Sequence, residues 1–159
     1  MNKLTMEKVG DTDLRITRRF NAPPSAVYDA HVDEAKIKRW MLGPEGWTMP
    51  HCSVDAREGG AFSYTWEDSA SGEGFTISGT FQTLDPPNQI VHVETMEMGG
   101  ESFSPSTVTT AFAADGDGTL MTMTISYASA EDREGAIAAD MEAGMAVSYD
   151  NLEQMVSGA

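Results

Sequence analysis

Apolar and polar side chains alternate one by one along most of this chain, and a period of two predicts strands. Leu14, Ile16, Arg18 and Phe20 take turns with Arg15, Thr17 and Arg19, which predicts a first strand after a loosely ordered lead-in over 1–13. Asn21-Ala-Pro-Pro24 stops it, and Pro24 suits the first turn of a helix. Ala26, Val27, Ala30 and His31 give that helix a short apolar side. Asp33 can cap a second short helix, EAKIKRW, with Ile37 and Trp40 on one face. After a Gly- and Pro-containing loop over 41–47, a strand is expected over 48–57 and a turn at Glu58-Gly-Gly60. Phe62, Tyr64 and Trp66 then alternate with Ser63 and Thr65. Phe75, Ile77, Gly79 and Phe81 alternate with Thr76, Ser78 and Thr80. Strands over 89–97, 107–114 and 119–127 complete the series. A loop is expected over 98–103, and Asp115-Gly-Asp-Gly118 is a strong hairpin turn.

The period changes in the last thirty residues. From Ser129 to Val156 there is no proline, and Ile137, Met141, Met145, Tyr149, Leu152 and Val156 recur every three to four positions. One long helix is expected, on the order of 40 Å, with Ser129 as its N-cap, acidic residues in its first turn and Gly158 at its stop. A helix with a one-sided stripe must lie on something. The order β-α-α, six further strands and a long helix gives an α+β domain, in which a curved antiparallel sheet of about seven strands packs its apolar face against that helix. The stripe is rich in Met, with Gly144 set into it; an ordinary core face is the commoner meaning of such a stripe, and the lid of a ligand cavity the sharper one.

Composition narrows the function. The net charge is −15, from 25 acidic and 10 basic residues, a balance that repels phosphate backbones and anionic lipid heads. Neither nucleic acid nor membrane insertion is expected. The single cysteine, Cys52, forms no intrachain disulfide, which agrees with a reducing cytoplasm. The N-terminal stretch has no apolar core segment, so no signal peptide is expected.

Six stretches resemble one family. FNAPPSAVYDA (20–30) is similar to F-x-A-P-x-x-x-V-[WY]-x-A, and IKRWMLGPEGW (37–47) to a loop RWWGP-x-G, with Met41 in place of the second Trp. DAREGGAFSYTW (55–66), GTFQTLDPPNQIV (79–91) and GDGTLMTMT (116–124) follow in order, and EAGMAVSYDNLEQMV (142–156) places Met145 at a usual Trp position. Together they resemble the START-like, or SRPBCC, superfamily, and within it bacterial homologues of the activator of the heat-shock-protein-90 ATPase. The resemblance implies a single helix-grip domain over 14–159 and a cavity between sheet and helix that holds an apolar small molecule or lipid. A protein contact with a chaperone, and a cyclase- or hydrolase-like enzyme using the cavity, are the other functions it suggests.

The residues expected around that cavity are Trp40, Phe62, Tyr64, Trp66, Phe75, Ile77, His92, Glu94, Met96, Phe112, Met123, Met141, Met145 and Tyr149: mostly apolar walls with few polar groups, the usual make-up of a small-molecule site. His92 and Glu94 share one face of their strand. Either they face the helix, as polar groups inside an apolar chamber, or the register is reversed and Val91 and Val93 are inside, since one residue of slip exchanges the faces. Asp55 and Arg57 read as a structural ion pair. His31 and His51 stand alone, without ligand-spaced partners, so no metal is expected. No catalytic motif or cofactor-binding loop is present, so neither a cofactor nor a catalytic residue is assigned. DGDG lacks the remaining ligands of a calcium loop. Monomer and homodimer both remain open.

Overall fold

In the computed structural model, which describes residues 2–157, the expected alternation becomes a single antiparallel sheet. Its strands are β1 (Thr5–Val9), β2 (Asp13–Phe20), β3 (Trp47–Val54), β4 (Ala61–Asp68), β5 (Gly74–Asp85), β6 (Gln89–Met98), β7 (Glu101–Ser102), β8 (Ser106–Asp115) and β9 (Gly118–Ser126). They run in the order β1-β2-β9-β8-β6-β5-β4-β3, with β7 paired to β6. The helices are α1 (Pro24–Val32), α2 (Glu34–Trp40), α3 (Ala130–Ala138) and α4 (Met141–Ser157). This is the helix-grip arrangement that the sequence resemblance implies.

Register follows from the two-residue period. Leu14, Ile16, Arg18 and Phe20 of β2 pair with Ile125, Met123, Met121 and Thr119 of β9, and all face the helices. Val108, Thr110 and Phe112 of β8 continue that face, as do Phe62, Tyr64 and Trp66 of β4. The opposite face carries Ser63, Thr65, Thr76 and Ser78; Thr65 and Thr76 hydrogen-bond across it at 2.9 Å. Local chemistry sets the helix starts: Pro24 opens α1, Asp33 Oδ1 accepts from the Ala35 N–H at 3.0 Å to cap α2, and Ser129 Oγ accepts from the Asp132 N–H at 3.1 Å to cap α3.

Three departures from the sequence reading have physical causes. Residues within the expected lead-in form β1, an antiparallel hairpin partner of β2 from Thr5↔Thr17 to Val9↔Asp13. Their alternation is masked by charges on an edge strand. The loop expected over 98–103 carries β7, which turns back on β6. The terminal helix is two helices rather than one, broken at Asp140, whose φ of 62° is left-handed. The two pieces answer to different anchors. Arg133 of α3 is buried and donates to the carbonyls of Gly10 and Asp13, at 3.0 and 3.1 Å, in the β1–β2 turn. Asp150 of α4 accepts from Arg18 of β2 at 2.7 Å. Asp is one of the few non-Gly residues that tolerate the left-handed region, so Asp140 can hold the break. The stop expected at Gly158 lies outside the described residues.

Candidate functional site

The space between the concave sheet face and α4 has two ends of different character. At one end α1, α2 and the second half of α4 close over the sheet. Trp40 is buried, donates its indole N–H to the Ala30 carbonyl at 2.9 Å and stacks on Tyr149 with ring centroids 5.4 Å apart. The His31 ring lies edge-on to Trp40 and Phe112, each at 5.1 Å, and Phe20 packs against Tyr149 at 5.9 Å. Leu152 and Ile37 fill the remainder.

The other end lies under the first turns of α4. Phe75, Ile77, Met96, Met141 and Met145 point into the same space but stay partly open to solvent. The loop over 41–47 forms one wall. The Trp66 indole N–H holds it by donating to the Met41 carbonyl at 2.8 Å, and the Gly43 N–H donates to Ser148 Oγ of α4 at 3.0 Å. Gly144 faces this loop across from Pro44, with room for a Cβ at an ordinary contact distance of 3.8 Å. On the opposite wall the Tyr127 hydroxyl donates to Met141 Sδ at 3.5 Å.

His92 and Glu94 face this space. In β6 they stand opposite Phe81 and Gly79 on one side and Val108 and Ser106 on the other. The open register question is thereby answered: both side chains are inside. The Nε2–H of His92 donates to Glu94 Oε1 at 2.7 Å, and the side chains keep 17% and 24% of their surface. Phe62 meets the His92 ring edge-on at 5.1 Å. Glu94 lies close enough to three phenols to act on each. Burial, aided by the Glu94 carboxylate, pushes Tyr127 up to about 12. The same two causes raise Tyr149, and they raise Tyr64 together with Cys52. All three remain protonated near neutral pH and can donate hydrogen bonds.

His31, which the sequence marks only as a lone histidine, sits with its ring nitrogens inside the packed end. Its Nδ1–H donates to the Val27 carbonyl at 2.7 Å, which leaves Nε2 as an acceptor, and that atom is buried without a partner among the described residues. Burial, and secondarily His92, lowers the ring to about 4, so it is neutral at physiological pH. No local pattern marks this role, because His31 acquires it from Trp40, Phe112 and Tyr149, which the fold brings in from three other elements. Arg18 is a cation on the concave face, only 1% exposed; its Nη1 donates to Asp150 at 2.7 Å and Glu153 lies 4.0 Å from Nη2, while Nε and Nη2 are buried without a hydrogen-bond partner among the described residues.

The expected site residues therefore divide. Phe62, Tyr64, Trp66, Phe75, Ile77, His92, Glu94, Met96, Met141 and Met145 line the more open end, whereas Trp40, Phe112, Met123 and Tyr149 belong to the packed end. Two surface depressions lie elsewhere. One, of about 410 Å³, lies between α1 and the turns preceding β4 and β6; the other, of about 310 Å³, lies between Arg39 of α2 and Gln154 of α4. Asp55 and Arg57 do form an ion pair, at 2.8 Å and exposed, in the turn rather than in β3. Among the described residues no three His, Cys, Asp or Glu side chains converge to hold a metal ion, and no helix is long and apolar enough to cross a membrane.

Solved structures of similar shape cover nearly the whole chain. A protein from Rhodobacter sphaeroides superposes with a TM-score of 0.88 at 24% identity, over 99% of each chain. One from Mycobacterium smegmatis gives 0.87 at 19% over 98% of each, and one from Nitrosomonas europaea 0.80 at 20% over 95% of this chain and 97% of that one. At these identities the likeness is one of fold. Among proteins with curated descriptions none matches the chain. The family model described as Activator of Hsp90 ATPase homolog 1-like protein matches residues 21–157, and the chain belongs to that family.

Proposed function

We propose that the protein binds a small, largely apolar molecule in the space between the sheet and the first half of α4. The observation that carries this reading is the His92–Glu94 pair. Two polar side chains on the concave face, hydrogen-bonded to each other and still reachable by solvent, sit among Phe62, Phe81, Ile77 and Met96. A sheet that needed only a core would place apolar residues there, as it does at Ile90 on the same face. Apolar walls with a few fixed polar groups favour a ligand with an apolar body and one polar end. The methionines of α4 suit such a lid because Met side chains adapt to a guest. The reading places the protein in the cytoplasm, in keeping with its single buried cysteine. Native mass spectrometry of freshly purified protein, followed by organic extraction, tests it. A stoichiometric apolar adduct that is lost in Met145→Trp, which fills the space, is the expected result. A clean mass together with no binding of any apolar probe would sink the reading.

A second reading is a contact with an Hsp90-type chaperone. It draws on the family's description and on the exposed Met98 and Phe103, which flank β7 beside the open end. Co-purification with a bacterial Hsp90 that is abolished by Phe103→Ser would favour it.

A further inference from the structure

We infer that the depression of about 410 Å³ beside α1 is a second binding site, apart from the space under α4, and that it takes a small organic polycation of the diamine or polyamine class. The inference stands whether or not the reading above holds. Tyr28, Asp29 and Val32 of α1 line the depression, with Glu58 from the turn before β4 and Leu84 and Pro86 from the end of β5 and the turn after it. Its volume falls in the range of small-molecule sites, about 300–1,000 Å³. Tyr28 is the group that asks for a ligand. The residue is only 3% exposed, and its ring is fixed from inside by Phe112, edge-on at 5.7 Å. Burial raises its phenol, and Asp85, Asp29 and Glu58 raise it further, which sets these carboxylates around the hydroxyl. Yet none of them accepts its proton, and the hydroxyl has no hydrogen-bond partner among the described residues. A phenol oxygen held in this way can accept from an incoming N–H while it donates to a carboxylate.

The carboxylates keep free oxygens. Asp29 is exposed, and its side chain is in no ion pair among the described residues. Glu58 Oε2 accepts from the Leu84 N–H at 3.2 Å, which leaves Oε1, and Asp85 Oδ2 meets only the Asn88 amide, at 3.5 Å. Arg57 is the cation on this wall. Its Nε donates to Asp55 Oδ2 at 2.8 Å and its side chain is 71% exposed, so it turns toward the turn's own carboxylate rather than covering the other three. Asp29, Glu58 and Asp85 stand on different elements and do not converge, and among the described residues no three such side chains are placed to hold a metal ion. Negative charges spread around one hydroxyl suit a cation whose charge is likewise spread along a chain. Val32, Leu84 and Pro86 offer apolar surface to the methylenes between the amines. The net charge of −15 draws such a ligand toward the protein.

The test uses the full chain, with spermidine as the probe and 1,6-hexanediol as its uncharged counterpart. Affinities come from calorimetry at pH 7.5 in about 0.1 M salt, where exposed charges are screened beyond roughly 10 Å. Spermidine is expected to bind saturably, one per chain, and the diol about ten-fold or more weakly. Tyr28→Phe removes the hydroxyl and keeps the ring, and it should weaken spermidine about three-fold or more. Asp29→Asn removes one charge at an exposed position and should do the same. Asp117→Asn, exposed in the β8–β9 turn, controls for general acidity and should change affinity less than about two-fold. If Tyr28→Phe does not fold, Asp29→Asn decides. Absence of saturable binding, equal affinity for the diol, or affinity unchanged in either Tyr28→Phe or Asp29→Asn overturns the inference. A loss in Asp117→Asn equal to that in Asp29→Asn also overturns it, and marks spermidine as a diffuse counterion only.

Discussion

The packed end of the concave face takes its strand residues from β2, β8 and β9 and the open end from β4, β5 and β6, with the same alternation, yet the first is closed over and the second is buried only in part. What differs is the cover. The buried residues of α4 are Ser148, Tyr149 and Leu152, from its middle onward, where α1 and α2 also press on the sheet. Its first half offers Met141, Gly144 and Met145, none of them fully buried. A sheet face becomes core only where something seats on it. Where the cover is thin, polar groups such as His92 and Glu94 are tolerated among aromatic rings without full desolvation. The open end thus keeps polar groups at little cost to stability, because the packed end is closed over more completely.

The sharpest way to break this comparison is to damage the packed end. Trp40→Ala removes a side chain that is buried, hydrogen-bonded and stacked on Tyr149. It is expected to cost about 3–5 kcal/mol of stability, read as a fall in urea midpoint. A loss below about 1.5 kcal/mol would mean that the packed end is not the seat of stability.

The next effect is a pH dependence from His31. Its ring is held near 4 in the folded protein, against about 6.5 in an unfolded chain. Between those values the unfolded state binds the extra proton, so stability falls as pH drops through that window and is fully retained above it. The loss by pH 4 is expected to approach about 3 kcal/mol. His31→Phe should remove it, which equilibrium unfolding of both proteins at pH 7 and pH 4.5 would reveal. Equal pH slopes for the two proteins would contradict the assignment.

These two residues also mark how far the sequence could be read. Strand alternation, the Pro24 and Asp33 helix starts and the DGDG turn are local signals, and each produced its element. The helix break at Asp140 was not legible, because a left-handed residue is selected by two tertiary anchors, Arg133 and Asp150, that no local pattern connects. β1 was missed because Glu7 and Lys8 read as lead-in until β2 is there to pair with them. At the site, the sequence could bring His92 and Glu94 to one face but not choose the face. That choice is fixed by pairing with Gly79 and Phe81, across a bulge that lies between Phe81 and Thr83. His31 was visible only as a solitary histidine.

At the open end the effects on stability should shrink although the side chains remain large. Phe75 stacks on Trp66 at 4.9 Å and meets Trp47 edge-on at 5.8 Å, yet it is only half-buried. Phe75→Ala is expected to cost about 1–2 kcal/mol, well under the usual figure for a core Phe. The same variant should weaken binding of an apolar probe such as 2-naphthol several-fold. A stability loss equal to that of Trp40→Ala would erase the distinction between the two ends.

The smallest effect is expected at the joint that holds Met141 over the open end. Asp140 sits at φ 62°, between Ala139, whose N–H donates to the carbonyls of Gly135 and Ala136, and the first turn of α4. Glycine adopts this conformation without strain but gives the unfolded chain more freedom, by roughly 0.4–1 kcal/mol. Asp is among the residues least strained there, so the two terms nearly cancel, and Asp140→Gly should change stability by less than about 0.5 kcal/mol. Asp140→Val is the informative contrast, because a β-branched side chain makes the left-handed region a true outlier. It should cost about 1–2 kcal/mol and pull Met141 from its contact with Tyr127, so that naphthol affinity falls along with the urea midpoint. Were valine tolerated as well as glycine, the break would not be held in the left-handed conformation. α3 and α4 would then be able to merge into the single long helix that their apolar stripe describes.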